Sequence, residues 1–356
     1  MCGIAGIVLD KKAVEDVISN KARYDVGGLL IRMSLTQQIR GQDSFGLALF
    51  NPPLEDQYKF MIACCKGKET SIRENFRGLY ISEESVSLEP IPGNGKNRDT
   101  LIGYNVEERT REIFLQKLLA LKADDCWIVS HGNYLTILKD IGLVSYLSGK
   151  WFDVANLTEI TDEYTTSRKP WKNMRYATHG LAHVRIATAT NVSHRNAHPF
   201  CCANVGDIAV VHNGEVTNAA KIRKDLVLKN YDLYSDNDTE VIAAFIGNRL
   251  SRDRSLTLEE ACREFIEIAS GYYTCLIATP SEVAFIKDIG ATRPALYGYH
   301  SKDEDMPGFY AVATDISALA AVNATTKIGT VEPGGVKIFP TGLSYQPKKI
   351  QVEVVP

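Results

Sequence analysis

An apolar run with branched side chains, Ile4 to Leu9, begins at the fourth residue of the chain. A short apolar run of this kind predicts a buried strand, so the N-terminus is expected inside the fold. At the head of that strand stands Cys2, directly behind the initiator Met1. Removal of Met1 would leave a thiol and a free α-amine on one residue. A thiol is the strongest ordinary side-chain nucleophile, and an α-amine with a pKa of roughly 8 can accept its proton. A cysteine on an apolar strand also reads as a small packing residue. What the other residues supply decides between the two.

Composition excludes several classes. The 356 residues suffice for one large domain or two smaller ones, and 45% hydrophobic with 23% charged content fits a soluble globular protein. A formal net charge of −3, without a basic run interleaved with aromatics, argues against nucleic-acid binding. No apolar run approaches a membrane span, and Asp10-Lys11-Lys12 ends the N-terminal run too early for a signal peptide. The eight cysteines include the adjacent pairs Cys64-Cys65 and Cys201-Cys202 and no CxxC. That arrangement predicts neither a disulfide framework nor a zinc or iron–sulfur site, and it fits a reducing, cytoplasmic setting.

Along the chain, Val26, Leu29, Leu30, Met33 and Ile39 follow helical spacing, and Arg40-Gly41-Gln42-Asp43-Ser44 breaks the helix before a strand over residues 45–50. Residues 64–172 contain enough apolar content for a folded insertion. Within them Ser82 to Thr100 reads as a surface loop. Glu107 to Leu121 reads as a helix burying Ile113, Phe114, Leu118 and Leu121. Trp127–Ser130 and Leu135–Leu138 read as strands. Further on, Leu181 to Ile186 reads as a strand, and Ile208 to Val211 as another closed by the turn signal Asn213-Gly214. Asn218 to Lys229 reads as a helix with Ile222, Leu226 and Val227 inward. Acidic residues 236–240 begin the next helix. Many strands with fewer, separated helices predict an α+β protein with helices on the faces of largely antiparallel sheets.

Four stretches complement Cys2: Arg185 after a strand, His198-Pro199-Phe200 just downstream, Asn213-Gly214 and Asp238 at a helix start. An acyl-transfer site acting on the amide of an amino acid needs a nucleophile, donors for the oxyanion, a cation for the α-carboxylate and an anion for the α-ammonium. Asn213 and Gly214 supply donors, Arg185 a bidentate fork and Asp238 an anion. Asp236 competes with Asp238 on residue type alone.

Met1-Cys2-Gly3-Ile4, Arg40-Gly41-Gln42-Asp43-Ser44, His183-x-Arg185-x-Ala187-Thr188, His198-Pro199-Phe200, His212-Asn213-Gly214 and Asp238-Thr239-Glu240 occur in that order. The set resembles the class II glutamine amidotransferases, and the likeness covers most of residues 2–60 and 178–340. It continues through Arg293-Pro294-Ala295-Leu296 and Val331-Glu332-Pro333-Gly334-Gly335. The resemblance implies an N-terminal-nucleophile hydrolase with an αββα four-layer sandwich. One such domain would occupy 2–356, with an insertion at about 64–172. It implies Cys2 as nucleophile with its own α-amine as base, and Asn213 and Gly214 as the oxyanion hole. Arg185 and Thr188 would hold the carboxylate end of glutamine, and Asp238 its amine. Arg40 and Gly41 would support the active-site turn. His183, His198 and His212 match motif positions that bind no metal.

The segment 137–142 resembles part of the amidotransferase portion of archaeal-type glutamate synthases and N-methylglutamate synthases. No second catalytic region is legible after residue 340. The resemblance therefore implies a stand-alone glutaminase subunit that passes ammonia to a synthase subunit on another chain. It expects no cofactor here, with FMN and an iron–sulfur cluster belonging to that partner. Two other readings remain open at this point: a self-sufficient hydrolase of γ-glutamyl amides, and a structural subunit whose site is unused.

Overall fold

The N-terminal run forms the strand Gly3–Leu9, buried at every position. The computed structural model describes residues 2–90, 98–121, 125–152, 171–187 and 191–345. In it Gly3–Leu9 lies at the centre of a seven-stranded sheet. The order is Thr326–Gly329, Leu296–His300, Phe309–Ala313, Gly3–Leu9, His179–Arg185, Ser44–Phe50 and Leu135–Ile141. Every neighbouring pair is antiparallel. A strand flanked on both edges can bury both faces, so the run lacks the polar alternation of a half-exposed strand.

A second antiparallel sheet has the order Val336–Pro340, Glu282–Lys287, Gly271–Thr279, Val205–Val216 and Phe200–Cys202. Its two faces enter different cores, as the period of two requires. Ala209, Val211, Leu276, Ala278, Val283 and Phe285 join the core shared with the first sheet. Ile208, Val210, Cys275, Ile277, Ala284 and Ile286 join a second core with the helices Asp238–Arg252 and Leu258–Ile268. The helix Val26–Thr36 covers the other side of the first sheet, against Gly3–Leu9 and His179–Arg185. The layers are thus helix, sheet, sheet, helix, which is the α+β sandwich expected. Gly6 lets the sheets approach: a Cβ there would stand 3.0 Å from Leu276 Cδ1.

A third antiparallel sheet contains Ser82–Ser87, Thr100–Glu107, Gln57–Cys64 and Cys126–Gly132. The stretch read as a loop therefore holds an edge strand. Ser82–Ser87 pairs through its backbone while most of its side chains stay exposed, so no hydrophobic alternation marks it. The following helix is shorter than its apolar content suggests, Arg111–Leu119. It buries Phe114, Leu115 and Leu118 and leaves Ile113 half-exposed. Val227 is likewise exposed at the end of helix Ala219–Val227. Ile39 is 86% exposed, because Val26–Thr36 ends before it and a tight turn over Gln38–Arg40 points it outward.

All eight cysteines are free thiols. Among the described residues no helix is long and apolar enough to cross a membrane.

Candidate active site

The antiparallel ladder places the nucleophile candidate. Gly3 pairs with Val184, so Cys2 comes level with Arg185 at the open end of the sheet. Cys2 Sγ lies 3.7 Å from the carbonyl oxygen of Ile186. The strand head is fixed from behind: Ile4 N–H donates to Thr314 Oγ1 at 2.9 Å, and Gln37 Nε2 donates to Ile4 O at 3.2 Å. Thr314 and Gln37 were not legible as site residues, since neither type implies a role without its neighbours in space. Burial pushes the Cys2 thiol up, while Ile186, Arg185 and Arg293 oppose that rise.

Arg185 is buried at the end of its strand. Burial pulls its guanidinium down, and nearby Cys2, Asp43 and Asp238 favour its charge. Asp43 also shapes the chain beyond Arg185: its N–H donates to Arg185 O at 3.0 Å and its carboxylate accepts from Ala187 N at 2.7 Å. Thr188 lies outside the described residues.

Arg40 and Gly41 sit in the turn beside this strand end. Arg40 Nη2 donates to Asp315 at 2.8 Å, and Asp315 caps the helix Ile316–Ala320. Arg40 therefore ties the turn to the sandwich. Gly41 packs directly on Arg185: a Cβ would fall 2.5 Å from its carbonyl carbon and 2.6 Å from its nitrogen. Backbone atoms cannot swing aside as a flexible side chain can. Gly41→Ala is expected to cost about 1–3 kcal/mol of stability and to lower activity by displacing Arg185. An unchanged urea midpoint with full activity would show that the turn has slack.

Asn213 and Gly214 do not close a strand. They lie within Val205–Val216, opposite Thr274 and Tyr273. The glycine is required there for a different reason than a hairpin turn. Its φ is +138°, and a Cβ would stand 1.9 Å from Tyr272 O. Asn213 is buried, and its Nδ2 has no hydrogen-bond partner among the described residues. A buried donor left unpaired costs folding energy and therefore calls for an explanation.

Asp238 opens the helix Asp238–Arg252, whose cap is Asn237. Its carboxylate accepts from Val216 N at 2.8 Å, which ties the helix start to the Asn213-Gly214 strand. Burial pushes the Asp238 carboxyl up, but His212, the Val216 N–H and Thr239 outweigh it and hold the pKa below the usual range. Asp236, the rival on residue type, is exposed.

The three histidines form the wall behind these residues. His183 and His198 stack with ring centroids 4.0 Å apart. His183 Nε2 lies 3.0 Å from His212 O, and His212 Nδ1 lies 3.0 Å from Thr239 Oγ1. Burial pushes His183 down to about 3 and His198 well below its ordinary value, so both rings are neutral packing groups at pH 7. Among the described residues no group of three His, Cys, Asp or Glu side chains is arranged to hold a metal. Arg293 plays a larger part than its sequence context suggests. Its guanidinium lies 4.7 Å from the Tyr272 ring centroid, and its charge favours the Cys2 thiolate.

A cysteine at the head of a central strand, between two stacked sheets and beside a buried arginine and a carboxylate, is the arrangement of an N-terminal cysteine hydrolase. The glutamine amidotransferase domain family matches residues 183–321. The chain is 28% identical over 345 residues to a provisionally assigned glutamine amidotransferase of Methanothermobacter thermautotrophicus, covering 95% of this chain and 99% of that one. It is 26% identical over 296 residues to the glutamine amidotransferase-like protein GlxB of Rhizobium meliloti, covering 83% and 85%. Among solved structures, the allosteric regulatory enzyme of purine biosynthesis has a similar fold, with a TM-score of 0.50 and 17% identity. That match covers 99% of this chain, which spans half the length of that structure. Together these likenesses support a class II glutamine amidotransferase.

Proposed function

We propose that this enzyme hydrolyses L-glutamine through a γ-glutamyl thioester on Cys2 and delivers the ammonia to a synthase on a separate chain. The observation that carries the reading is the antiparallel register that sets Cys2 level with the buried Arg185 at the open end of the sheet. The reading requires removal of Met1, so that the Cys2 α-amine is free.

In this mechanism the amine takes the thiol proton, through a water, and Sγ attacks the side-chain amide carbon of glutamine. The oxygen of the tetrahedral intermediate lies against Asn213 Nδ2 and Gly214 N–H, which accounts for a buried amide without a partner among the described residues. Arg185 and Thr188 hold the substrate carboxylate and Asp238 its ammonium, which orients the amide toward the thiol. Collapse breaks the C–N bond, and the ammonium of Cys2 returns its proton to the leaving nitrogen as ammonia. Water then cleaves the thioester, giving glutamate and the free thiol. Arg40 and Gly41 keep the strand end in place.

A separate synthase carrying FMN and an iron–sulfur cluster fits the likeness of residues 137–142 to glutamate-synthase-type amidotransferases. The test compares glutamine with γ-glutamyl methylamide as substrates of the purified chain. Glutamine is expected to have a kcat/KM at least about tenfold higher, because a site built for a primary amide excludes an added methyl. Equal values would favour a general γ-glutamyl amide hydrolase. Copurification of a flavin-containing chain, with stimulation of glutamine hydrolysis by it, checks the partner. Full coupling-independent turnover by the lone chain would argue against one.

A further inference from the structure

The third sheet and the strand Leu135–Ile141 bring a cluster of buried charges against the segment that follows Arg185. At its centre is His194, almost completely buried. One ring nitrogen, Nε2, lies 2.6 Å from Glu89 O and 3.3 Å from Asp140 Oδ1, and Nδ1 lies 3.3 Å from Asp99 Oδ2. Asp140 is fully buried. It accepts from Glu89 N at 3.0 Å, from Ile141 N at 2.8 Å and from Lys150 Nζ at 2.7 Å. Lys150 also pairs with the Glu89 carboxylate at 2.9 Å, which in turn accepts from Tyr146. The groups facing His194 are thus two carboxylates and a carbonyl, with Lys150 behind Asp140. Both ring nitrogens meet acceptors, which only the imidazolium satisfies.

This anchor is costly to bury, and its position suggests why it exists. The segment's far end is held by Lys139 Nζ, which donates to Ala197 O at 2.7 Å, and by Asn237 Nδ2, which donates to Asn196 O at 3.3 Å. It ends at His198, stacked on His183 behind the candidate site. Its near side is the Arg185-Ile186-Ala187 stretch, whose Ile186 carbonyl faces Cys2. The same strand that carries Asp140 continues to Gly142, whose N–H donates to Asp43 O at 3.0 Å, and Val144 N–H donates to Gln38 Oε1 at 2.6 Å. The strand Leu135–Ile141 and the residues that follow it therefore brace both the turn at 38–43 and the segment 191–198.

We propose that His194 is a positioning residue for glutamine, pinning residues 191–198 to Glu89, Asp99 and the strand Leu135–Ile141 so that the chain ends flanking Cys2 keep their binding geometry. This rests on the glutaminase reading above. Burial pulls the His194 imidazole down, but Asp140 and Asp99 more than offset it and raise it to about 9. Its ordinary value is about 6.5. A raised folded-state pKa means that the anchor is at full strength below about pH 6.5 and is lost as pH rises through about 9.

His194→Gln is expected to raise KM for glutamine about tenfold with kcat within about twofold, the pattern of lost substrate positioning. Wild-type KM should climb above about pH 9, whereas the variant's KM should stay flat there. Asp99→Asn, at the more open side of the cluster, is expected to give the same change about threefold, and it carries the test if His194→Gln does not fold. Unchanged KM in either folded variant, or a fall in melting temperature alone, overturns the proposal. Hydrogen exchange of peptide 191–198 supplies a readout independent of activity: it must accelerate about tenfold or more in the variants. If the wild type does not hydrolyse glutamine, the glutaminase reading fails. The exchange result still decides the anchor, and unaltered exchange overturns it.

Discussion

Replacing Cys2 with alanine is expected to abolish the proposed glutamine hydrolysis while leaving the protein folded. Cys2 is only partly buried and stands at the head of its strand, with Ile4 held behind it by Thr314 and Gln37. Loss of one sulfur there should cost less than about 1 kcal/mol, as for other substitutions outside the packed core. Loss of the only bond-forming atom should lower kcat on the order of 10^4-fold or more. The check is a paired measurement of ammonia release and thermal melting. Intact mass belongs with it, because a retained Met1 would leave Cys2 without a free amine. Wild-type turnover in the alanine variant would end the thioester mechanism. Alkylation separates Cys2 from most of the other thiols: Cys126, Cys201, Cys262 and Cys275 are buried, and burial holds their thiols protonated.

Asn213→Ala is expected to give the second large effect, with a different signature, because the proposed mechanism makes Asn213 an oxyanion donor. An oxyanion donor acts in the transition state, so kcat should fall about 10^2 to 10^3-fold with little change in KM. Its side-chain nitrogen is buried without a partner among the described residues, so removing it relieves a desolvation cost of about 1–3 kcal/mol that offsets the lost packing. The melting temperature should therefore hold or rise as activity collapses. A variant that loses stability and activity together would mark Asn213 as a packing residue. Gly214→Ala would not be informative in the same way, since a Cβ at 1.9 Å from Tyr272 O disrupts the sheet itself.

These two residues also show where local pattern and tertiary context part. Asn-Gly is a turn signal, yet here it lies in mid-strand. The glycine answers a close backbone approach by the neighbouring strand, and the asparagine leaves a donor open, neither of which is a property of the dipeptide. Ile39 failed for a related reason: its spacing continued the helix, but the chain had already turned at Gln38–Arg40. The edge strand Ser82–Ser87 was invisible because backbone pairing alone sustains it. The sandwich itself was more legible, because burying both faces of a sheet leaves continuous apolar runs that can be read without the partner in view.

From its residues alone the chain specified a buried N-terminal strand headed by Cys2, an α+β architecture and the residue types Arg185, Asn213, Gly214 and Asp238. Those follow from periodicity and from chemistry carried by single side chains. Tertiary structure alone decided which of them meet. Antiparallel register brings Cys2 level with Arg185, and Val216 ties Asp238 to the Asn213 strand. It also decided that Asp43, Thr314, Gln37 and Arg293 belong around the site and that His194 is a charged anchor. The physical reason is that a hydrogen bond or an electrostatic field depends on distance, and residues 2, 43, 185, 238 and 293 acquire one only when two sheets close.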